Sequence, residues 1–202
     1  MRELASGLWH WEAPHPEWSP GGEWDEMVSS YAVDAGDRLL LIDPLAVPSE
    51  LEELARDRET AIMLTCPWHE RDARSLVELL GAPVFTPAPD EGSSDVAWLQ
   101  AGEGEARFYS AGERLPVGVE VLPGGGKNDL VLWVESARAV AAGDSLIDRG
   151  NRLEIPVDWL DQDLTRDQVV EGLRPLLDLP VEHVLATHGG PTDRAALERA
   201  LS

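Results

Sequence analysis

Short apolar runs, punctuated by Gly and Pro, set out strands with helical patterns between some of them. Val28 to Val33 reads as a strand, Asp34 to Asp37 as a turn, and Arg38 to Ile42 as a second, more buried strand. Ser49, with Glu52 three residues on, forms the pattern of a capping box opening a helix to about Arg58. Ala61 to Thr65 is the next buried strand. Glu70 to Leu80 is amphipathic, with Ala73, Leu76, Val77 and Leu80 on one face and Gly81 as its stop. Val84 to Thr86 is a short strand, and Asp90 to Gly104 reads mostly as loop. The period then becomes two: Arg107 to Tyr109, Val117 to Val121, Leu130 to Val134 and Ala139 to Ala141 are successive strands. Asn151 to Leu164 is irregular. Thr165 caps a helix to about Leu177, Val181 to Ala186 is a last buried strand, and Pro191 opens a final helix to Leu201.

Strands, then strand–helix units, then a meander, then strand and helix again are accounted for by two mixed β-sheets covered by helices on their outer faces. The expected fold class is α+β of α/β type, a four-layer αβ/βα sandwich, with residues 1–202 as a single domain.

Residues 4–27 depart from this pattern. Trp9, Trp11, Trp18 and Trp24 sit among Pro14, Pro16, Pro20, Gly21 and Gly22, which forbid a long helix. Indoles here suit an aromatic lid or ligand wall; the plainer reading is a strand plus an arm that pins the chain's start. His10 and His15 are expected to be packing or surface residues rather than metal ligands.

Composition narrows the function. A single Cys excludes an internal disulfide and any multi-Cys zinc site. No apolar run approaches the ~20 residues needed to span a bilayer, so no membrane association is expected. The N-terminal residues lack an apolar signal core, so a cytoplasmic, soluble protein is expected. A net charge of −22, from 38 acids against 16 bases, argues against nucleic acid, whose binding needs Lys and Arg to neutralise phosphates. The acidity fits a solubility device or an acidic host proteome. A small-molecule ligand is the expected partner, and oligomeric state is not readable.

The chain is organised around Leu64-Thr65-Cys66-Pro67-Trp68-His69-Glu70-Arg71-Asp72, a strand-to-helix junction. Three later strand ends answer it: Pro123-Gly124-Gly125-Gly126, Gly143-Asp144 and Thr187-His188-Gly189. Polar side chains at strand ends, beside glycines that let a ligand approach, are an ordinary way to build a site. Asp, His and Glu together bind zinc, iron or manganese. Each residue alone is more simply a turn, cap or packing residue. Cys66 is a second reactive candidate: it precedes the expected helix near Glu70, whose dipole would lower its thiol pKa, and His69 is close enough in sequence to act as its base.

Taken together, these motifs resemble the metallo-β-lactamase superfamily over residues 7 to 190. The family's early aspartate is matched by Asp43 after Leu40-Leu41-Ile42. Its T-H-x-H-x-D-H (or D-R) motif aligns without gaps on Thr65-Cys66-Pro67-Trp68-His69-Glu70-Arg71. Cys66 and Trp68 therefore stand where two histidines belong, and Glu70 where the aspartate does. The P-G-H stretch aligns on Pro123-Gly124-Gly125, followed by Lys127, with Gly125 at the metal-binding His. Gly143-Asp144 matches the bridging aspartate, and His188-Gly189 the last histidine.

The resemblance implies a metal set of Glu70, Asp144 and His188, with His69 or Cys66 contributing if the loop shifts register. Asp144 and His69 are the implied catalytic residues, and Asp43, Trp68, Arg71, Gly125 and Lys127 the implied pocket. Two readings stay open. One is a small-molecule-binding or inactive relative with a degenerate metal site and no ion, a pseudoenzyme. The other is a mononuclear hydrolase of an ester, thioester or lactone that uses one zinc, iron or manganese ion. Loss of three histidine positions disfavours a two-metal hydrolase.

Overall fold

Alternation within the apolar runs decides which layer each side chain joins. In the strand Arg38–Ile42, Leu40 and Ile42 face one core while Leu39 and Leu41 face another; Leu130, Leu132 and Val134 are likewise separated from Val131 and Trp133. A strand buried on both faces reads as a continuous apolar run, and these two are the central strands of their sheets. The computed structural model describes residues 1–150 and 152–202.

The first sheet has seven strands in the order of the chain: β1 (Arg2–Ala5), β2 (Leu8–Pro14), β3 (Met27–Asp34), β4 (Arg38–Ile42), β5 (Glu59–Met63), β6 (Val84–Pro87) and β7 (Ala106–Tyr109). The first four pair antiparallel and the last four parallel. The second half contributes β8 (Arg114–Leu115), β9 (Val119–Pro123), β10 (Leu130–Val134), β11 (Ala139–Ala141), a small hairpin of β12 (Ile147–Asp148) and β13 (Leu153–Glu154), then β14 (His183–Leu185) and β15 (Thr192–Asp193). The second sheet runs β15-β14-β11-β10-β9-β8, with β11 and β14 parallel. Helices α1 (Ser49–Arg56), α2 (Ala73–Leu80) and α3 (Ala97–Gln100) cover the outer face of the first sheet; α4 (Arg166–Leu173) and α5 (Arg194–Ala200) cover that of the second. Leu8, Tyr31, Met63, Phe85, Leu132 and Leu185 fill the space between the sheets. The architecture is the expected four-layer αβ/βα sandwich of two mixed sheets. Among the described residues no helix is long and apolar enough to cross a membrane.

Several local expectations need correction. Ser49 does not cap α1: Pro48 is the N-cap, and Ser49 Oγ turns to Glu50 Oε2 at 3.3 Å. The proline's fixed φ places the helix start one residue earlier than the serine pattern suggests. The helix expected from Glu70 begins at Ala73, because Pro67–His69 form a 3-10 turn and Arg71 takes a left-handed φ of 43°. Asp90 to Gly104 is mostly loop as expected, interrupted by α3, which Trp98 and Leu99 bury against the first sheet. Val117 lies outside β9, which starts at Val119. The last helix starts at Arg194, with Asp193 accepting from Ala196 N at 2.9 Å, whereas Pro191 precedes β15. The Thr165 cap forms with Gln168 as a full capping box, and α4 ends at Leu173, where Pro175 turns the chain into a 3-10 segment. Asn151, at the head of the stretch expected to be irregular, lies outside the described residues.

Candidate functional site

The two sheets are pinned together at one edge, and the polar residues gather there. Val28 and His188 form a bridge between the sheets, Ser29 N donates to Thr187 O at 2.8 Å, and Leu130 N donates to Thr65 O at 3.0 Å. Tyr31 Oη donates to Ala186 O at 2.7 Å, while Tyr109 Oη reaches Leu64 O. The Tyr109 bond ties two strand ends of the first sheet and the others join the two sheets, so the side chains that follow β4, β5, β11 and β14 converge.

Asp43 is the hub of the buried layer. It is 1% exposed and has a left-handed φ of 44°, which Asp tolerates better than most residues. Its carboxylate accepts from Thr65 N at 2.9 Å, Thr65 Oγ1 at 2.6 Å and Thr187 Oγ1 at 3.2 Å, and lies 3.3 Å from His69 Nδ1. Burial alone would raise its pKa; His69, Arg71 and Thr65 outweigh that and hold it below the usual carboxylate value. The 3-10 turn carries His69 inward over Asp43. Burial would lower the pKa of His69, but Asp144 and Asp43 on either side raise it to about 9.

Asp144 sits between two imidazoles. His69 Nε2 and His188 Nε2 each lie 3.3 Å from its Oδ1. Neither contact is aligned as a hydrogen bond, so this buried oxygen and His188 Nδ1 have no hydrogen-bond partner among the described residues. The other oxygen, Oδ2, accepts from Trp68 Nε1 at 2.8 Å. Burial opposes ionisation of Asp144, yet the two imidazoles hold its pKa well below the ordinary value. His188 is shifted down, first by burial and then by His69 and Arg71, against the pull of Asp144. The Sγ of Cys66, a ring nitrogen of His69 and a carboxylate oxygen of Asp144 lie within 4.8 Å of one another.

Sequence reasoning missed Asp129. This buried carboxylate accepts from Asp144 N at 3.0 Å and from Ser145 Oγ at 2.7 Å, so it fixes the backbone that presents Asp144. Burial and the charge of Asp144 push its pKa upward. Gly143, just before Asp144, has φ 55°, and a Cβ there would collide with Asp129 Oδ1 and come within 3.1 Å of Thr65. The Asp-before-strand position of Asp129, opposite the Asp-after-strand position of Asp43, was the available signal.

The other expected site residues separate into those present and those turned away. Glu70 is a correction: its Oε2 accepts from Val96 N at 2.8 Å, outside the cluster, because the 3-10 turn brings His69 rather than Glu70 inward. Arg71 lines the site; its Nη1 donates to Ser29 O at 2.9 Å and to Asp43 O at 2.7 Å. Gly125 lies behind the site, with its N–H on Ser145 Oγ at 2.8 Å. Lys127 stands off, exposed, 3.4 Å from Asp90. Cys66 does not suit a nucleophile: burial, then Asp144, Asp129 and Asp43, push its thiol pKa well up, and it precedes a 3-10 turn rather than a helix. His10 and His15 pack on aromatic rings, His10 stacking on Tyr31 at 5.1 Å and His15 meeting Trp24 edge-on at 4.9 Å.

Above the cluster opens a cavity of about 410 Å³. Trp24, Trp68 and Trp159 form much of its wall, and Glu17, Glu23 and Asp158 its mouth. The two readings of the Trp-rich segment thus divide. Trp11 is buried and donates to Leu45 O at 2.7 Å as part of β2, whereas Trp24, on the arm after it, lines the cavity. Trp159 falls in the stretch read as irregular, where nothing in the sequence marked it.

No sequence-family profile and no characterised sequence relative matches the chain. Solved structures match it in fold. TTHA1623, whose crystal structure is a di-iron-bound form, is 27% identical, with a TM-score of 0.61 over 89% of this chain and 95% of that one. The metallo-beta-lactamase family protein TTHA1429 from Thermus thermophilus is 18% identical, with a TM-score of 0.63 over 98% of this chain and 78% of that one. A metallo-beta-lactamase from Hirschia baltica is 16% identical, with a TM-score of 0.63 over 99% of this chain and 94% of that one.

Proposed function

Because the chain has the metallo-β-lactamase fold, we propose that its polar cluster is a one-metal hydrolytic site for a small ester, thioester or lactone. The observation that carries this reading is the convergence of His69 Nε2 and His188 Nε2 on the unpartnered, buried Oδ1 of Asp144. Two imidazoles and one carboxylate are a sufficient donor set for a catalytic zinc or a non-haem iron with open positions. Asp43 supports it from behind: a carboxylate on Nδ1 fixes the tautomer that leaves Nε2 free to ligate.

The family's two-metal set does not fit these residues. The positions of its three-histidine site are Cys66, Trp68 and Gly125. Cys66 is the one potential ligand among them, and a Cβ at Gly125 would lie 3.0 Å from Asp129 Oδ2 and 3.2 Å from Leu160. Glu70 is engaged with Val96 N. The metal centre is therefore read as degenerate but not lost.

A bound divalent ion supplies Lewis acidity, polarising a carbonyl oxygen and making water a better nucleophile near neutral pH. The chain's own residues do the rest. Trp68 Nε1 holds Asp144 Oδ2, so that Oδ1 faces the imidazoles and can orient an attacking water. Asp129 holds the Asp144 backbone, and Asp43 holds His69.

The test is calorimetric titration of chelator-treated protein with zinc, manganese and iron(II), followed by a screen of esters, thioesters and lactones. One binding event, absent in His188→Ala and Asp144→Ala, with turnover that requires the ion, supports the reading. Absence of binding by all three ions would sink it. The alternative, a metal-free binding protein, is favoured by one observation: His69 between Asp43 and Asp144, together with Arg71, already offsets their two negative charges without an ion.

A further inference from the structure

The cavity mouth has a pattern that metal-dependent hydrolysis does not require. Three indoles border it, and all three are tied to the polar cluster. Trp24 and Trp159 meet the His188 ring edge-on at centroid distances of 5.5 and 5.1 Å, and Trp68 is bonded to Asp144. Glu17, Glu23 and Asp158 line the same cavity, and all three are exposed. None of the three carboxylates forms an ion pair among the described residues. Arg71, the one Lys or Arg side chain lining the cavity among the described residues, sits at its floor, with Nη1 occupied by the carbonyl oxygens of Ser29 and Asp43. The charges at the floor offset one another, Arg71 and His69 facing Asp43 and Asp144, whereas the aromatic mouth is negative.

That polarity selects among ligands. An anionic group at the mouth would face three carboxylates. A neutral apolar group would use the indoles but gain nothing from the acids. A weakly hydrated organic cation uses both, because the faces of Trp attract cations most strongly when water is excluded. The net charge of −22 further concentrates cations near the surface.

We propose that the mouth of this cavity, formed by Trp24, Trp68, Trp159, Glu17, Glu23 and Asp158, binds an alkylammonium group. Taken with the hydrolytic reading on which this assignment of substrate rests, the substrate class is a small acyl compound bearing a quaternary or alkylated ammonium. Its carbonyl lies inward at the His69–Asp144–His188 cluster and its cation outward between the indoles.

The probe pair is choline and its neutral carbon isostere, 3,3-dimethylbutan-1-ol, with dissociation constants measured by ligand-observed NMR on chelator-treated and on zinc-loaded protein. The expected result is choline binding at least about tenfold more tightly than the isostere in both preparations, since the mouth does not need the ion. Glu23→Gln combined with Asp158→Asn should erase most of that preference. A charge-matched control at a remote surface, Asp37→Asn combined with Glu59→Gln, should leave it in place. Equal affinity for the two probes, no binding of choline, or equal loss in the control pair would overturn the proposal. Choline binding without any metal binding would overturn the hydrolytic reading and leave the ammonium site standing, so the two failures are distinguishable.

Discussion

Replacing Asp43 with Ala removes the acceptor on which three segments of the chain converge. In the wild-type protein the carboxylate takes bonds from Thr65 N, Thr65 Oγ1 and Thr187 Oγ1 at 2.9, 2.6 and 3.2 Å and faces His69 Nδ1 at 3.3 Å. A hydrogen bond to a charged group contributes about 1.5–3 kcal/mol, and a buried donor left alone costs about 1–3 kcal/mol. The two threonine hydroxyls can rotate towards other acceptors. The Thr65 amide cannot and is stranded, while the His69 ring loses a charged partner and keeps only the Thr65 hydroxyl at 3.1 Å. Ala at φ 44° adds strain of about 1 kcal/mol. The sum is a loss of about 4 kcal/mol, a large part of the ~5–15 kcal/mol that holds most domains folded. For a chain of 202 residues each kcal/mol moves the melting midpoint by about 2–4 °C, so Asp43→Ala should melt about 8–16 °C lower. Asp43→Asn keeps an acceptor for Thr65 N and tolerates the same backbone, so it should lose about half as much. Scanning calorimetry in the presence of chelator reads both variants without a contribution from metal. An Asp43→Ala midpoint within about 3 °C of wild type would refute the assignment of Asp43 as the hub.

Other expectations follow from single contacts. His10 is held neutral, its pKa lowered to about 4 by burial and then by Arg2 and the N-terminus. The unfolded chain binds this proton below 6.5 and the folded one does not, so stability should fall as pH drops from 6.5 to 4, by up to about 3 kcal/mol. Urea midpoints across that window should flatten in His10→Gln; an unchanged slope would assign the effect elsewhere. Tyr31→Phe strands the buried Ala186 carbonyl that now accepts at 2.7 Å, and should cost about 1–2 kcal/mol in urea unfolding while leaving zinc affinity unchanged. Thr165→Ala removes one half of the capping box with Gln168 and should cost about 1 kcal/mol; no loss would mean that helix α4 is held by packing alone.

How much of this was legible depends on whether local sequence or tertiary packing decides each feature. The central strands were readable because their apolar runs have no other stable placement. Asp43, Asp144 and His188 were readable because they follow such runs. Glu70 was not assigned correctly, and His69 stood only as an alternative ligand, since one non-glycine residue, Arg71, takes a left-handed backbone and converts an expected helix start into a 3-10 turn. That conformation is sustained by bonds from Arg71 Nη1 to Ser29 O and Asp43 O, contacts 42 and 28 residues away that no local pattern encodes. Asp129 was missed because its role lies in reaching Asp144 N across the sheet edge. Trp159 was missed because an indole in an irregular stretch carries no periodic signal.

The most direct test of the account is elemental analysis of protein purified without chelator or an affinity metal, beside His69→Ala, Asp144→Ala and His188→Ala. The account predicts about one zinc, iron or manganese per chain in the wild type, lost in all three variants. Two ions per chain would contradict the one-metal site. No ion in the wild type, together with a melting midpoint unmoved by added zinc or manganese, would contradict the metal-dependent reading altogether.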